Sequence, residues 1–283
     1  TNTLFSSWLS SEAQEANAIK KDTPVMVIMG NPPYSGESKN KGEWIMHLMK
    51  DYKKEPGGKE KLKERNPKWI NDDYVKFMRF SQHFIEKNGE GVLAFINPHG
   101  FLDNPTFRGM RWSLLNTYDE IYTIDLHGNT KKKEVCPDGS KDENVFDIEQ
   151  GISINFFIKT GKKNKGTLAQ VHHFDLHGKR KDKYSFLENT QFADVPYQSL
   201  PNVGPMYFMV PKDFESQKEY DKGFSIKKLF DINNVGIVTS RDNLVIDHSK
   251  DALKEKMKSF FDLDSELVKI KLGVRENKTW DIR

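Results

Sequence analysis

The sequence predicts an α/β protein built on a largely parallel sheet. Short apolar runs lack polar alternation, the pattern of strands covered on both faces. These runs alternate with helical stretches, in the strand–helix–strand rhythm of a parallel layer. Aromatic residues make up 12% of the chain, ample for a packed core.

The first strand spans residues 25–29 (VMVIM), follows Thr23-Pro24 and closes at Gly30, running straight into NPPYSG. Residues 35–71 are polar and irregular, with a helix expected over 44–52 and ended by Pro56-Gly57-Gly58. Asn71-Asp72-Asp73 reads as a helix N-cap, with Asp72 and Asp73 as capping residues. The helix that follows, 74–87, carries Val75, Phe77, Met78, Phe84 and Ile85, and Asn88-Gly89 stops it. A second uniformly apolar strand covers 91–96 (GVLAFI), and the loop NPHGFLDNP leads to a helix over 106–117. The third strand is 120–126 (EIYTIDL), and the polar stretch 127–149 precedes a fourth, 151–160 (GISINFFIKT). A fifth, 167–174 (TLAQVHHF), is expected to pair with the fourth as a hairpin across GKKNKG. Beyond about residue 180 no strong strand–helix unit returns. Residues 230–247 read as short strands and turns, and 251–261 as a helix with Leu253, Met257, Phe260 and Phe261 on one face.

Lys plus Arg number 44 and Asp plus Glu 41, a net charge of +3 that does not by itself announce a nucleic-acid partner. No apolar run approaches the roughly 20 residues that span a bilayer, so no membrane association is expected. Cys136 is the only cysteine, which excludes an intrachain disulfide and a cysteine zinc cluster. A reducing, cytoplasmic setting is the expectation.

Asn31-Pro32-Pro33-Tyr34, at the carboxyl end of a buried parallel strand, is the main chemical signal. Open α/β sheets place their ligand sites there. Two prolines fix φ and remove two donors, while their carbonyls remain acceptors. Asn31 adds a side-chain carbonyl and Tyr34 a flat aromatic face. A rigid acceptor pair beside a stacking ring suits an exocyclic amino group, whose N–H bonds are held while its lone pair faces an electrophile.

GNPPYSG resembles motif IV of the amino-group methyltransferases that use S-adenosylmethionine. With KNKGEWI, DDYVKFMRFSQHFIEKNGEGVLAFI, IDLHGN and SKDENVFDIEQGISINFFIKT, the chain looks like the adenine-specific DNA methylase module of single-chain type ISP and type IIG restriction-modification enzymes. The resemblance covers residues 25–160, and NVGIVTSRDNLVID more weakly resembles the start of a target-recognition region. It implies the C-terminal half of a Rossmann-like methyltransferase sheet within residues 1–180, then a mixed α+β target-recognition region beginning in 181–283. It also implies site-specific methylation of duplex DNA at N6 of an adenine flipped out of the helix.

By the same resemblance Asn31 and the Pro32 carbonyl accept from the adenine amino group, and Tyr34 stacks on the base, with Pro33 beside it. A second aromatic is implied in GISINFFIKT. Phe156 and Phe157 alternate across the sheet, so one faces the core and one the pocket, with Phe156 preferred. S-adenosylmethionine is the implied cofactor, and no metal is expected. The family's glycine-rich cofactor loop has no counterpart in residues 1–24, so the cofactor-binding residues stay unassigned. The resemblance therefore implies a piece of a longer enzyme, inactive alone, whose partners are DNA and the other domains of its parent.

His172, His173 and His177 cluster without a metal-ligand pattern. Lys131, Lys132 and Lys133 read as a solvated loop or a phosphate contact, and Arg241 as a partner of Asp242 or of DNA. Two other readings share the motif or the fold. One is methylation of a protein glutamine or an RNA guanine, and the other is a non-catalytic DNA-binding module.

Overall fold

The structure, a computed structural model, describes residues 10–18, 23–64, 67–164, 166–230, 232, 239, 241–277 and 280–282. It divides into two compact units, Thr1–Asp213 and Phe214–Arg283.

The first unit is a six-stranded mixed sheet, with a helix over residues 10–18 (α1) preceding it. Its strands are β1 (Val27–Gly30), β2 (Gly91–Pro98), β3 (Glu120–His127), β4 (Ile152–Lys159), β5 (Gln170–Asp175) and β6 (Gln198–Leu200), in the order β1-β2-β4-β3-β5-β6. β1 pairs parallel with β2, and β3 with β5. β4 runs antiparallel between β2 and β3, matched residue for residue with β2 from Gly91↔Lys159 to Pro98↔Ile152. The hairpin expected between β4 and β5 therefore does not form. Both edges of β4 are taken, so the chain crosses β3 and joins its free edge as β5.

A second expectation is also corrected. The first strand was read as covered on both faces, but β1 is an edge strand, with Val27 64% and Met29 81% exposed. Among its residues Ile28 packs on the core. An apolar run alone cannot distinguish a central strand from an uncovered edge.

Helices α2 (Glu43–Leu48), α3 (Asp73–Asn88) and α4 (Arg108–Thr117) contribute to the main core. α3 begins at Asp72 in extended conformation and ends at Gly89, whose φ of 90° suits glycine. Its buried stripe of Tyr74, Val75, Met78 and Ile85 meets Leu93, Phe95, Ile121 and Phe157. The sheet's other face packs Ile124, Leu126 and Ile152 with α5 (Arg180–Asn189), where Phe186 stacks on Phe174 at 5.4 Å. This helix and β6 are elements that the sequence pattern beyond residue 180 did not disclose.

The second unit contains α6 (Phe214–Asp221), α7 (Ile226–Leu229), α8 (Asp242–Val245), α9 (Lys250–Asp262) and α10 (Ser265–Leu272). Ser249 and Asp264 cap α9 and α10 by accepting from Ala252 N and Leu267 N. Met257 and Phe260 pack on a small core of Leu244, Val268, Val274 and Ile282, whereas Phe261 is exposed. Most of 230–247, expected as strands and turns, lies outside the described residues; its described end contains α8. Among the described residues no helix is long and apolar enough to cross a membrane.

Lys183 and Asp142 form a fully buried ion pair at 2.9 Å. The ammonium also donates to Leu126 O and Glu143 O, joining α5 to the end of β3. Breaking such a pair leaves an uncompensated charge, so Lys183→Met should cost about 3–5 kcal/mol. Urea unfolding will measure this, and Asp142→Asn added to Lys183→Met should restore part of the loss.

Candidate functional site

The strands β1, β2, β3 and β5 point the same way, so their carboxyl ends form one rim. One face of the sheet turns polar as it nears this rim. Leu93 and Phe95 give way to Asn97 in β2, and Phe157 to Asn155 and Ser153 in β4, all buried. Asn155 accepts from Thr123 Oγ1 at 3.0 Å and donates to Ser153 Oγ at 2.9 Å and Asn97 Oδ1 at 3.2 Å. Satisfied in this way, the groups avoid the cost of burial without partners.

The NPPY segment leaves β1 at this rim. Asn31 and Pro33 are exposed, Pro32 is buried and Tyr34 is half-buried. Tyr34 meets Tyr74 of α3 edge-on at 6.5 Å. Its hydroxyl lies 2.6 Å from Asn31 Oδ1 and 2.9 Å from the Ile96 carbonyl, and burial pushes its pKa up to about 12. The neutral hydroxyl has one proton and cannot donate to both acceptors. Turning the Asn31 amide by half a turn resolves the conflict. Nδ2 then donates to the hydroxyl, the hydroxyl donates to Ile96, and the Asn31 carbonyl is left free to accept.

Asp72 holds the N-cap position of α3 but makes no side-chain capping hydrogen bond, and Asp73 is the first residue of the helix, so the expected capping role gives way to another. The two Asp72 carboxylate oxygens accept from Ser35 N at 3.0 Å and Gly36 N at 2.9 Å, which pins the segment after Tyr34 to the start of α3. Ser38 N donates to Asn71 O at 3.0 Å, and Lys76 Nζ donates to Asn40 O. Burial raises the Asp72 pKa, and the amides of Ser35, Gly36, Asp73 and Tyr74 pull against it without cancelling the rise. The sequence showed a capping aspartate but not this contact, made across 37 residues.

Phe157 is fully buried, 5.3 Å from Tyr118, and presents no face to a ligand. Phe156 lies on the opposite face against Phe192, beside Tyr122 and Tyr197. It is level with Ala94, whereas the Tyr34 hydroxyl reaches Ile96, whose β4 partner is Ile154. Phe146, which sequence reading passed over, packs in the same cluster as Tyr34, Ile96 and Ile154. It lies in SKDENVFDIEQGISINFFIKT, a segment quoted for the resemblance, but within the polar stretch before β4 nothing singled this residue out.

The other candidates are dispersed. His172 bonds Glu120 at 2.6 Å and stacks on Tyr122. His173 and His127 both bond Asp175 Oδ1, and His177 stacks on His127 at 3.9 Å. Burial opposes ionisation of Asp175, but its bonds to these imidazoles prevail and hold the carboxyl well below the usual range. Lys131 pairs with Glu149 at 3.0 Å, and Lys132 and Lys133 are exposed. Cys136 is buried in the turn closed by the Val135↔Lys141 bridge. Arg241 lies 4.3 Å over the Trp280 ring. Gly57-Gly58 close a turn inside the Lys54↔Lys61 bridge and not a strand-to-helix turn, so we assign no residue to a nucleotide-like cofactor.

Residues 6–131 match the Eco57I restriction-modification methylase family. No curated protein matches the chain. Among solved structures, the ATP-dependent Type ISP restriction-modification enzyme LlaBIII bound to DNA is similar with a TM-score of 0.62 at 24% identity, covering 88% of this chain and 17% of that one. The DrdV–DNA complex gives 0.61 at 22% identity, covering 95% and 27%. A nuclease-deletion mutant of the Type ISP enzyme LlaGI, in complex with a DNA substrate mimic, gives 0.63 at 20% identity, covering 87% and 20%. At these identities the likeness is one of fold, and it establishes the α/β class; the largely parallel sheet expected from the sequence is mixed instead, with only β1–β2 and β3–β5 paired parallel. The chain spans between 17% and 27% of the length of these structures.

Replacing Asp72 by Ala would leave the Ser35 and Gly36 amides without their acceptor. Hydrogen exchange at both should accelerate, and stability should fall by about 1–3 kcal/mol. Unchanged exchange would show that the segment is held by other contacts.

Proposed function

We propose that this chain carries the acceptor side of a site-specific DNA methyltransferase acting on N6 of adenine within a restriction-modification enzyme. The observation that carries the reading is the Asn31–Tyr34–Ile96 hydrogen-bond chain at the end of β1. With the Asn31 amide turned so that Nδ2 meets the Tyr34 hydroxyl, its carbonyl is free to accept, and the backbone carbonyl of Pro32 follows one residue later. These two acceptors hold the two N–H bonds of an exocyclic amino group, which turns its lone pair out of the plane of the base. The Tyr34 ring takes the base face, with Pro33 at its edge and Phe156 as the candidate second aromatic.

S-adenosylmethionine, when bound, supplies the electrophilic methyl group. The chain's own residues contribute positioning and electrostatic stabilisation of the amino group as it gains positive charge. Duplex DNA with one base flipped out is the proposed substrate. Residues 1–180 are proposed as the catalytic part, and the region from 181 onward as the start of target recognition. Within that region, Phe214–Arg283 forms a compact unit of its own.

In the intact enzyme, Asn31→Ala should lower the methylation rate by about 10²–10³ while DNA affinity stays within a few-fold. Methylation within threefold of wild type would remove Asn31 from this role, and product analysis for N6-methyladenine tests the base assignment.

Tyr34→Phe keeps the ring but severs the link that orients Asn31. A net hydrogen bond of about 1 kcal/mol predicts roughly a fivefold loss of rate. Tyr34→Ala should lose that and also weaken base capture, read as tighter dependence on DNA concentration. Identical kinetics for Tyr34→Phe and wild type would show that the hydroxyl does not orient Asn31.

A further inference from the structure

A cavity of about 250 Å³ opens at the rim between the ends of β2 and β3, with His99, Asp125, His127, Glu134 and Asp175 in its lining. Neither imidazole serves the acceptor chemistry proposed above. Each has one nitrogen against a carboxylate: His99 Nδ1 is 2.9 Å from Asp125 Oδ1, and His127 Nε2 is 2.8 Å from Asp175 Oδ1. An ionised carboxylate only accepts, so the facing nitrogen carries the hydrogen. In the neutral ring the other nitrogen is then a bare lone pair.

Those two nitrogens converge on one carboxylate. His99 Nε2 is 3.9 Å from Glu134 Oε1, and His127 Nδ1 is 4.0 Å from Glu134 Oε2. The two rings are nearly perpendicular, at 88°, so their lone pairs arrive from different directions. Glu134 is itself held, with Oε2 accepting from Asn129 N at 2.8 Å. The three donor atoms lie within 4.8 Å of one another. Donors about 2.0–2.2 Å from a four-coordinate ion stand roughly 3.3–3.6 Å apart, so closing this set on an ion draws the donors together by up to about an ångström at its widest.

We propose that His99, His127 and Glu134 bind a divalent first-row transition-metal ion, with the remaining coordination positions open to the cavity. Two imidazoles and one carboxylate select such an ion over magnesium or calcium, which favour all-oxygen sets. Carboxylates behind both histidines are the arrangement that fixes ring orientation and raises ligand basicity. The space around His99 is also reserved: a Cβ at Gly151 would lie 2.3 Å from His99 Nε2. Asn129 Nδ2 approaches that nitrogen at 3.4 Å, a long contact that an ion displaces.

Neighbouring groupings are poorer. His177 stacks on His127 at 14°, so their in-plane lone pairs run side by side and do not converge. Asp175 Oδ1 is already shared by His127 and His173.

The test uses the whole chain, stripped with a chelator and titrated separately with Zn²⁺ and Co²⁺ by calorimetry, with Tm followed in parallel. One ion per chain and a rise in Tm are expected. Glu134→Gln, at a side chain 22% exposed, should fold normally by circular dichroism yet bind at least tenfold more weakly. Asp175→Asn, which alters the support behind His127 together with the contact to His173, should weaken binding by about 10- to 100-fold. His172→Ala, whose ring is engaged with Glu120, should bind as wild type. No stoichiometric binding of either ion at 100-micromolar concentrations (about a hundredfold above a micromolar site), or equal affinity in Glu134→Gln and wild type, would overturn the proposal.

Discussion

The antiparallel strand β4 fills the gap between β2 and β3, and the geometry of the carboxyl rim depends on it. Its ladder with β2 runs without a break from Gly91↔Lys159 to Pro98↔Ile152, so β2 and β3 are held at a fixed separation and height. The loop after β2, which contains His99, and the end of β3 with the loop that follows it, which contain His127 and Glu134, therefore come together at one end of the sheet. A buried polar row through Asn97, Asn155 and Thr123 reinforces the register, because a slip of one residue would bury these groups without partners.

The NPPY segment is rigid for two reasons that act at different ranges. The prolines restrict the backbone locally. Two longer contacts fix where that rigid piece points: the Tyr34 hydroxyl on Ile96 of the neighbouring strand, and the Asp72 carboxylate on the Ser35 and Gly36 amides. In the proposed reading, acceptors offered to a reacting amino group must not relax away from it, and these contacts would provide that restraint. One side chain thus combines an aromatic face with a hydroxyl that aligns its neighbour.

Buried polar and charged groups concentrate around the rim. Arg111 is fully buried on α4 and donates to the carbonyls of Phe101, Asn104 and Met206, tying the loop after β2 to a segment about a hundred residues downstream. Lys183 does the same between β3 and α5. Loops fastened by charged donors to carbonyls retain their shape without a wide apolar core beneath them. This leaves room for the cavity that holds His99, His127 and Glu134.

The sequence by itself determined the local elements and the place of one motif at a strand end. Apolar runs placed β1 to β4 within a few residues, Gly89 ended α3, and the NPPY segment fell at the end of β1. These features are set by contacts within a few residues, which composition and periodicity record. Tertiary structure alone decided the strand order, including β5 beside β3 instead of β4, because pairing partners depend on which edges remain free. It also decided that β1 is an exposed edge, that Asp72 grips the NPPY segment, and that Phe157 is core. Most of all, it brought together His99 from the loop after β2, His127 from the end of β3 and Glu134 from the loop that follows. Their relation depends on the register of an intervening strand, and no spacing along the chain encodes it.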